Sequence, residues 1–314
     1  MMVSKQAAMR DAYGEALLEL GAVNRDIVVV GADTTGSLKS GVFGSKYPER
    51  FFNVGIAEEN LVSIAAGLAL AGKIAYSGTY AIFVPGKCVD QIRNNICYPD
   101  LNVKLVCSHG GISVGPDGAS HQQVEDIAIM RAIPKMKVIV PADAPSTKGI
   151  VKAIATIPGP FYVRLTRSAT PVVYEGGFEY RLGQANVLQE GSDVAVFACG
   201  IMVPEALSAA ESLKASGVHA AVIDMHTVKP IDSDTIQKFA QKCGNVVTAE
   251  EHNILGGMGS AVAEVLGERC PTPMKRVGVM DTFGESGDPG ELLKKYGLTA
   301  ASIERAALDM VRSK

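Results

Sequence analysis

Phe51-Phe52-Asn53-Val54-Gly55-Ile56-Ala57-Glu58-Glu59-Asn60 decides how this chain of 314 residues is read. A short apolar run meets a turn residue at Gly55 and passes into a small-residue apolar segment, Leu61 to Ala71. The pattern predicts a strand ending at Val54 and a buried helix beginning near Ala57, with Glu58 and Glu59 in its first turn. Carboxylates in a first turn face the positive end of the helix dipole, so an ordinary helix start accounts for both. A functional acid at the edge of a core accounts for one of them as well, because an apolar surround perturbs a carboxyl in the way catalytic acids need. Residue pattern by itself favours the ordinary start.

Working outward, apolar runs and amphipathic segments alternate. Residues 7–21 read as an amphipathic helix and Ile27–Val30 as a fully apolar strand. The polar loop Gly31-Ala32-Asp33-Thr34-Thr35-Gly36-Ser37 follows at the strand's C-terminal end, the edge where open α/β sheets bind ligands. Strands are expected at Lys73–Ser77, Val103–Ser108, Val138–Val140 and Phe161–Leu165. Helices are expected from Phe83 to about Cys97, over Gln122–Ile133 and over Pro145–Ile157. This rhythm implies a doubly wound α/β domain with a mainly parallel sheet over residues 1–167. Residues 168–182, with Pro171, Gly176 and Gly177, break the rhythm as a linker. Alternation resumes over 183–314 as a second doubly wound α/β domain of about 130 residues, a usual domain size.

Composition narrows the function classes. Hydrophobic residues at 47%, charged residues at 20% and the absence of Trp suit a soluble α/β protein. A net charge of −3 with interspersed signs leaves no basic footprint for nucleic acid or an acidic membrane surface. The six cysteines form no C-x-x-C pair, and several lie in apolar runs, as free thiols do in a reducing compartment. Met1 to Gln6 lacks a signal-peptide core and no run of 18 apolar residues occurs, so a cytoplasmic location is expected. Gly67 to Ile74 has P-loop spacing without its Ser/Thr, and Gly257-Met258-Gly259 lacks the third glycine of a dinucleotide fingerprint.

The loop from His109 to His121 is the strongest site that residue chemistry alone supplies. It holds two of the five histidines and Asp117 within a Gly-rich exit from a parallel strand. Imidazoles and a carboxylate there can exchange protons with hydroxyls near neutral pH.

Several segments then resemble one family in order along the chain. Gly55-Ile56-Ala57-Glu58 resembles the Gly-Ile-x-Glu segment of thiamine-diphosphate enzymes of the transketolase group. His109 with Gly115-Pro116-Asp117-Gly118-Ala119-Ser120-His121-Gln122 resembles the transketolase His…Gly-x-Asp-Gly-Pro-Thr-His-Gln segment. Thr79-Tyr80-Ala81-Ile82-Phe83 resembles Thr-Phe-x-x-Phe, Ala32 to Ser37 resembles Ala-Asp-Leu-Thr-x-Ser, and Phe283-Gly284-Glu285-Ser286 resembles Phe-Gly-x-Ser.

The resemblance implies roles. Glu58 would bond to the cofactor's aminopyrimidine and activate it, with Tyr80 and Phe83 packing on that ring and Asp33 approaching the cofactor. His109 would lie beside the reactive carbon, and Asp117 and His121 would hold the ketol hydroxyls. Ser37 with Arg10 and Arg167 would bind a sugar phosphate, a task that suits the guanidinium fork; Arg164 competes for the Arg167 role. Two departures stand out: Glu59 replaces a histidine found in many members, and Gly86 replaces a frequent third aromatic.

The resemblance covers only the C-terminal half of a full-length transketolase, and the chain contains no Gly-Asp-Gly for the diphosphate and Mg²⁺. It therefore implies the C-terminal subunit of a split transketolase. Thiamine diphosphate and Mg²⁺ would be completed by an N-terminal subunit carrying Gly-Asp-Gly, around a homodimer core within a heterotetramer. The expected reaction is transfer of a two-carbon ketol unit from a ketose phosphate to an aldose phosphate. A deoxyxylulose-phosphate-synthase-like protein, a 2-oxo-acid dehydrogenase β-subunit and a non-catalytic interaction protein of the same fold are the alternatives.

Overall fold

The computed structural model describes residues 5–312. Residues 1–4, which carry most of the segment read above as lacking a signal-peptide core, and residues 313–314 lie outside the described residues.

The first half contains strands β1 (Gln6–Ala8), β2 (Ile27–Gly31), β3 (Phe51–Asn53) and β4 (Ile74–Gly78). It continues with β5 (Val103–Cys107), β6 (Lys137–Ile139), β7 (Phe161–Arg164) and β8 (Ala169–Pro171). The second half adds β9 (Asn186–Gln189), β10 (Val194–Ala198), β11 (Ala220–Asp224), β12 (Thr227–Lys229), β13 (Val246–Asn253) and β14 (Met274–Val279). The larger sheet has the order β12-β6-β7-β5-β4-β2-β3, and the smaller β14-β13-β10-β11-β9. Pairing within each is parallel except at β12 and β9, so the doubly wound α/β reading holds for both.

Period-two alternation explains why β2 is apolar throughout. Val28 and Val30 pack with Leu61, Val62 and Ala65 of the helix Glu58–Leu70 on one face. Val29 packs on the other face with Tyr13 and Leu17 of the helix Met9–Val23 and Ile150 and Ile154 of the helix Ala144–Ile154. Gly78 ends β4 where a Cβ would stand 1.9 Å from the Val106 carbonyl oxygen, so no side chain fits between β4 and β5.

Three departures from the sequence reading have physical causes. The strand Thr227–Lys229 leaves the second domain and pairs antiparallel with β6, completing the first sheet. Ala169–Pro171, read as linker, pairs antiparallel with Gln6–Ala8, which moves the start of the first helix to Met9. Three-residue strands are too short to show a period. The helix expected from Gln122 begins at Asp126, because the preceding carbonyls serve long-range bonds: Gln123 O accepts from Gly111 N (2.7 Å) and Val124 O from Asn253 N (2.7 Å).

Asp143 ties the linker to the first domain. One of its carboxylate oxygens caps the helix Ala144–Ile154 by accepting from Ser146 N (2.8 Å). The other accepts from Val173 N (2.7 Å) and Tyr174 N (2.9 Å). Asp143 is fully buried, so Asp143→Ala strands three N–H donors away from water. Urea unfolding is expected to show a loss of about 3 kcal/mol, with Asp143→Asn losing less.

Among the described residues, no helix is long and apolar enough to cross a membrane. None of the six cysteines, all among the described residues, forms a disulfide.

Candidate active site

The C-terminal ends of β2, β4, β5 and β7 converge, as the ligand edge of a doubly wound sheet does. Gly55 takes a left-handed φ of +76° to turn the chain out of β3, and Glu58 opens the helix that follows. Glu58 is 3% exposed, whereas its neighbour Glu59 faces solvent. Lys87 Nζ donates to Glu58 Oε2 at 2.7 Å. Nothing in the sequence singled out Lys87, because its partner lies 29 residues away in another helix.

Beyond β4, the Thr79–Ala81 segment crosses to the end of β5: Ser108 N donates to Thr79 O (3.1 Å) and Ala81 N to Ser108 O (2.7 Å). This crossing sets the Tyr80 ring against His109, with centroids 3.8 Å apart and planes at 25°. Phe83 lies 5.7 Å from Tyr80 at 21°, and His121 meets the Phe83 ring edge-on at 5.5 Å. Two rings and two histidines from three segments thus form one cluster.

His109 has φ +61° and is 2% exposed. Its Nδ1 shares a 2.7 Å hydrogen bond with Ser108 Oγ. Burial first, then the nearby charges of Arg10, Arg167 and His121, push its pKa down to about 3. At neutral pH the imidazole is uncharged and offers one N–H donor and one acceptor nitrogen.

The polar side of the cluster carries the basic groups. Tyr80 OH donates to Ser37 Oγ (3.1 Å), and Arg10 Nη1 donates to Ser37 O (2.7 Å). Arg167 Nη1 donates to Val114 O (2.6 Å). Burial pulls Arg10 below its ordinary pKa; Asp11 opposes that shift and Arg167 adds to it. Two guanidinium groups thus lie close enough to repel, each anchored by one carbonyl, an arrangement whose fork geometry suits an anion.

Two candidates stand apart from the cluster. Asp33, at φ +60°, is exposed and donates its N–H to Asn53 Oδ1 (2.9 Å) at the end of β3. Asp117 is exposed on the outer turn between Gly115 and Gly118, both at positive φ. Arg164 does not face the site. It is buried and donates to Asp126 Oδ2 (2.9 Å), Gln123 O (3.2 Å) and Glu251 O (2.9 Å), so it locks the two domains together.

The second domain braces the His109–His121 loop, a contact hidden from the sequence. Gln122 Nε2 donates to Gly115 O (3.3 Å) and across to Glu285 O (2.8 Å). Glu251 Oε1 accepts from Ser113 N (2.6 Å), and a Cβ on Gly111 would stand 2.2 Å from the Glu251 carboxyl carbon. A Cβ on Gly284 would stand 1.8 Å from Gln122 Oε1. The Phe283-Gly284 segment is small where the loop needs it to be.

Comparison with known proteins agrees with this architecture. Residues 5–172 match the family model of the transketolase pyrimidine binding domain, and residues 183–303 that of the transketolase C-terminal domain. A Methanocaldococcus jannaschii chain provisionally named a transketolase C-terminal section is 46% identical, over 97% of this chain and 96% of that one. The 6-deoxy-6-sulfo-D-fructose transketolase subunit of a Clostridium species is 42% identical, over 98% and 95%. A solved structure described as a split-gene transketolase in an inactive β4 tetramer superposes with a TM-score of 0.91 at 50% identity, covering 97% of this chain and 98% of that one. With both domain models matched and relatives of the same length, the chain belongs to the thiamine-diphosphate-dependent transketolase family, as a C-terminal subunit of the split type.

Proposed function

We propose that the chain is the C-terminal subunit of a cytoplasmic enzyme that transfers a two-carbon ketol unit from a ketose phosphate to an aldose phosphate. The observation that carries this reading is the cluster of Tyr80, Phe83, His109 and His121 beside the buried carboxylate of Glu58. Those groups fit the pyrimidine half of thiamine diphosphate: near-parallel rings for its face and a buried carboxylate for its basic nitrogen edge. Bound thiamine diphosphate supplies the nucleophilic carbon and the electron sink for breaking and making the C–C bond.

In this reading Glu58 holds the proton at N1′ of the pyrimidine, and Tyr80 and Phe83 orient the ring. Neutral His109, together with His121, hydrogen-bonds the substrate oxygen where negative charge develops and exchanges its proton. Asp117 accepts from a donor hydroxyl and fixes its stereochemistry, and Asp33 borders the cofactor. Arg10, Arg167 and Ser37 hold the phosphate. The Clostridium relative is named for a sulfonated sugar, and a sulfonate is also an oxyanion that a guanidinium pair accommodates. An N-terminal subunit carrying Gly-Asp-Gly would supply the diphosphate and Mg²⁺ ligands in a two-plus-two heterotetramer.

The assembled enzyme is expected to turn over xylulose 5-phosphate with an aldose phosphate acceptor and to leave pyruvate untouched. Turnover of pyruvate instead would favour a deoxyxylulose-phosphate-synthase-like or 2-oxo-acid dehydrogenase reading, and no turnover of either would favour a non-catalytic role.

Arg167→Ala and Ser37→Ala test the anion site. A lost charge-assisted bond to phosphate is worth about 1.5–3 kcal/mol, so KM for phosphorylated sugars should rise roughly ten- to a hundredfold. Unphosphorylated sugars should be nearly unaffected. Equal effects on both would place the phosphate elsewhere.

A further inference from the structure

Lys87 stands where two site elements meet. Its Nζ is 2.7 Å from Glu58 Oε2, with the carboxylate side chain 5% exposed and the lysine side chain 50% exposed. The same Nζ lies 5.7 Å over the Phe83 ring. Under the functional reading above, these are the two groups that take the edge and the face of the pyrimidine. The ammonium therefore borders the seat the ring would occupy.

We infer that Lys87 is the resting partner of Glu58 and that it yields this carboxylate to the cofactor by moving to Glu59. This rests on the proposed role of Glu58. The ammonium occupies Oε2, one of the two oxygens through which Glu58 would meet N1′ of the cofactor. Exchange through that oxygen opens the pair.

The surroundings allow the move. Lys87 closes the short helix Val84–Lys87, and its long side chain is half in water. The adjacent Gly86 leaves open space, with nothing within 4 Å of where a Cβ would be. Glu59 is exposed and acts on Lys87: the ammonium is held above its ordinary pKa first by the bond to Glu58, with burial opposing it, and to a lesser degree by the charges of Glu58 and Glu59.

The two departures from the family pattern acquire one explanation. An aromatic ring at position 86 would fill the space beside Lys87, and a histidine at 59 would offer an ammonium no carboxylate.

Calorimetric titration of thiamine diphosphate with Mg²⁺ into the assembled two-subunit complex reads the exchange without relying on turnover. Lys87→Met removes the competitor, and the cofactor should bind about fivefold tighter, the value of one partly exposed ion pair. Lys87→Arg keeps a cation on Glu58 and should bind within about twofold of wild type. Glu59→Gln should weaken binding about fivefold in the wild-type background and leave it unchanged in the Lys87→Met background. Weaker or unchanged binding by Lys87→Met, or equal Glu59→Gln effects in both backgrounds, overturns the inference while the site stands. A wild-type complex that binds no thiamine diphosphate overturns the reading of the site itself, and this inference with it.

Discussion

Glu58→Gln is expected to leave the fold intact and to abolish turnover. Glutamine has the shape of glutamate and still accepts a hydrogen bond, so the packing at the start of the helix Glu58–Leu70 survives. What it cannot do is take and return a proton. The readout is hydrogen exchange at C2 of the cofactor in the assembled complex, which should slow by about two to four decades, the range typical of a lost general acid–base group. Loss of the ion pair to Lys87 is a minor stability effect, because the lysine side chain is half exposed. The geometry also distinguishes Glu58 from its neighbour. Glu58 is nearly buried and bonded to Lys87, whereas Glu59, one residue on, is exposed. Exchange that is unchanged in Glu58→Gln would move the proton-handling role to Glu59.

That distinction marks how far the sequence could be read. The Gly55 turn, the buried helix after it, the fully apolar strand β2 and the buried strands β4 and β5 follow from local pattern, because the residues that mark them stand within a few positions of one another. The His109–His121 loop stands out as a candidate site for the same reason: its titratable groups and its glycines share one segment. Pairing between distant segments was not. β12 joins the first sheet from beyond the linker, and Gln122 bonds a carbonyl 163 residues further along. Arg164 and Arg167 look alike in sequence, yet one is sealed between the domains by Asp126 and Glu251 while the other donates to Val114 O on the loop that ends at His121. Lys87 had no motif at all. Its part depends on a helix packed beside it, and only the fold brings the two together.

Assembly carries the second large expected effect. The chain offers Glu58, Tyr80 and Phe83 for a pyrimidine but no Gly-Asp-Gly for a diphosphate. A diphosphate leaving water without a metal or a cationic cradle is uncompensated, so the isolated chain is expected to bind thiamine diphosphate at least about a hundredfold more weakly than the complex does. The exposed apolar groups fit a surface that is covered on assembly. Ile56, beside Glu58, is 80% exposed, and Leu70, at the far end of the same helix, is 76% exposed. Adding the N-terminal subunit, thiamine diphosphate and Mg²⁺ should then bring activity from none to full, with two copies of each chain related by closed symmetry. Calorimetry on the purified chain, paired with mass measurement before and after mixing, tests this. Micromolar, Mg²⁺-dependent binding together with ketol transfer by this chain alone would sink the split-subunit reading, because the diphosphate ligands would then have to come from its own residues.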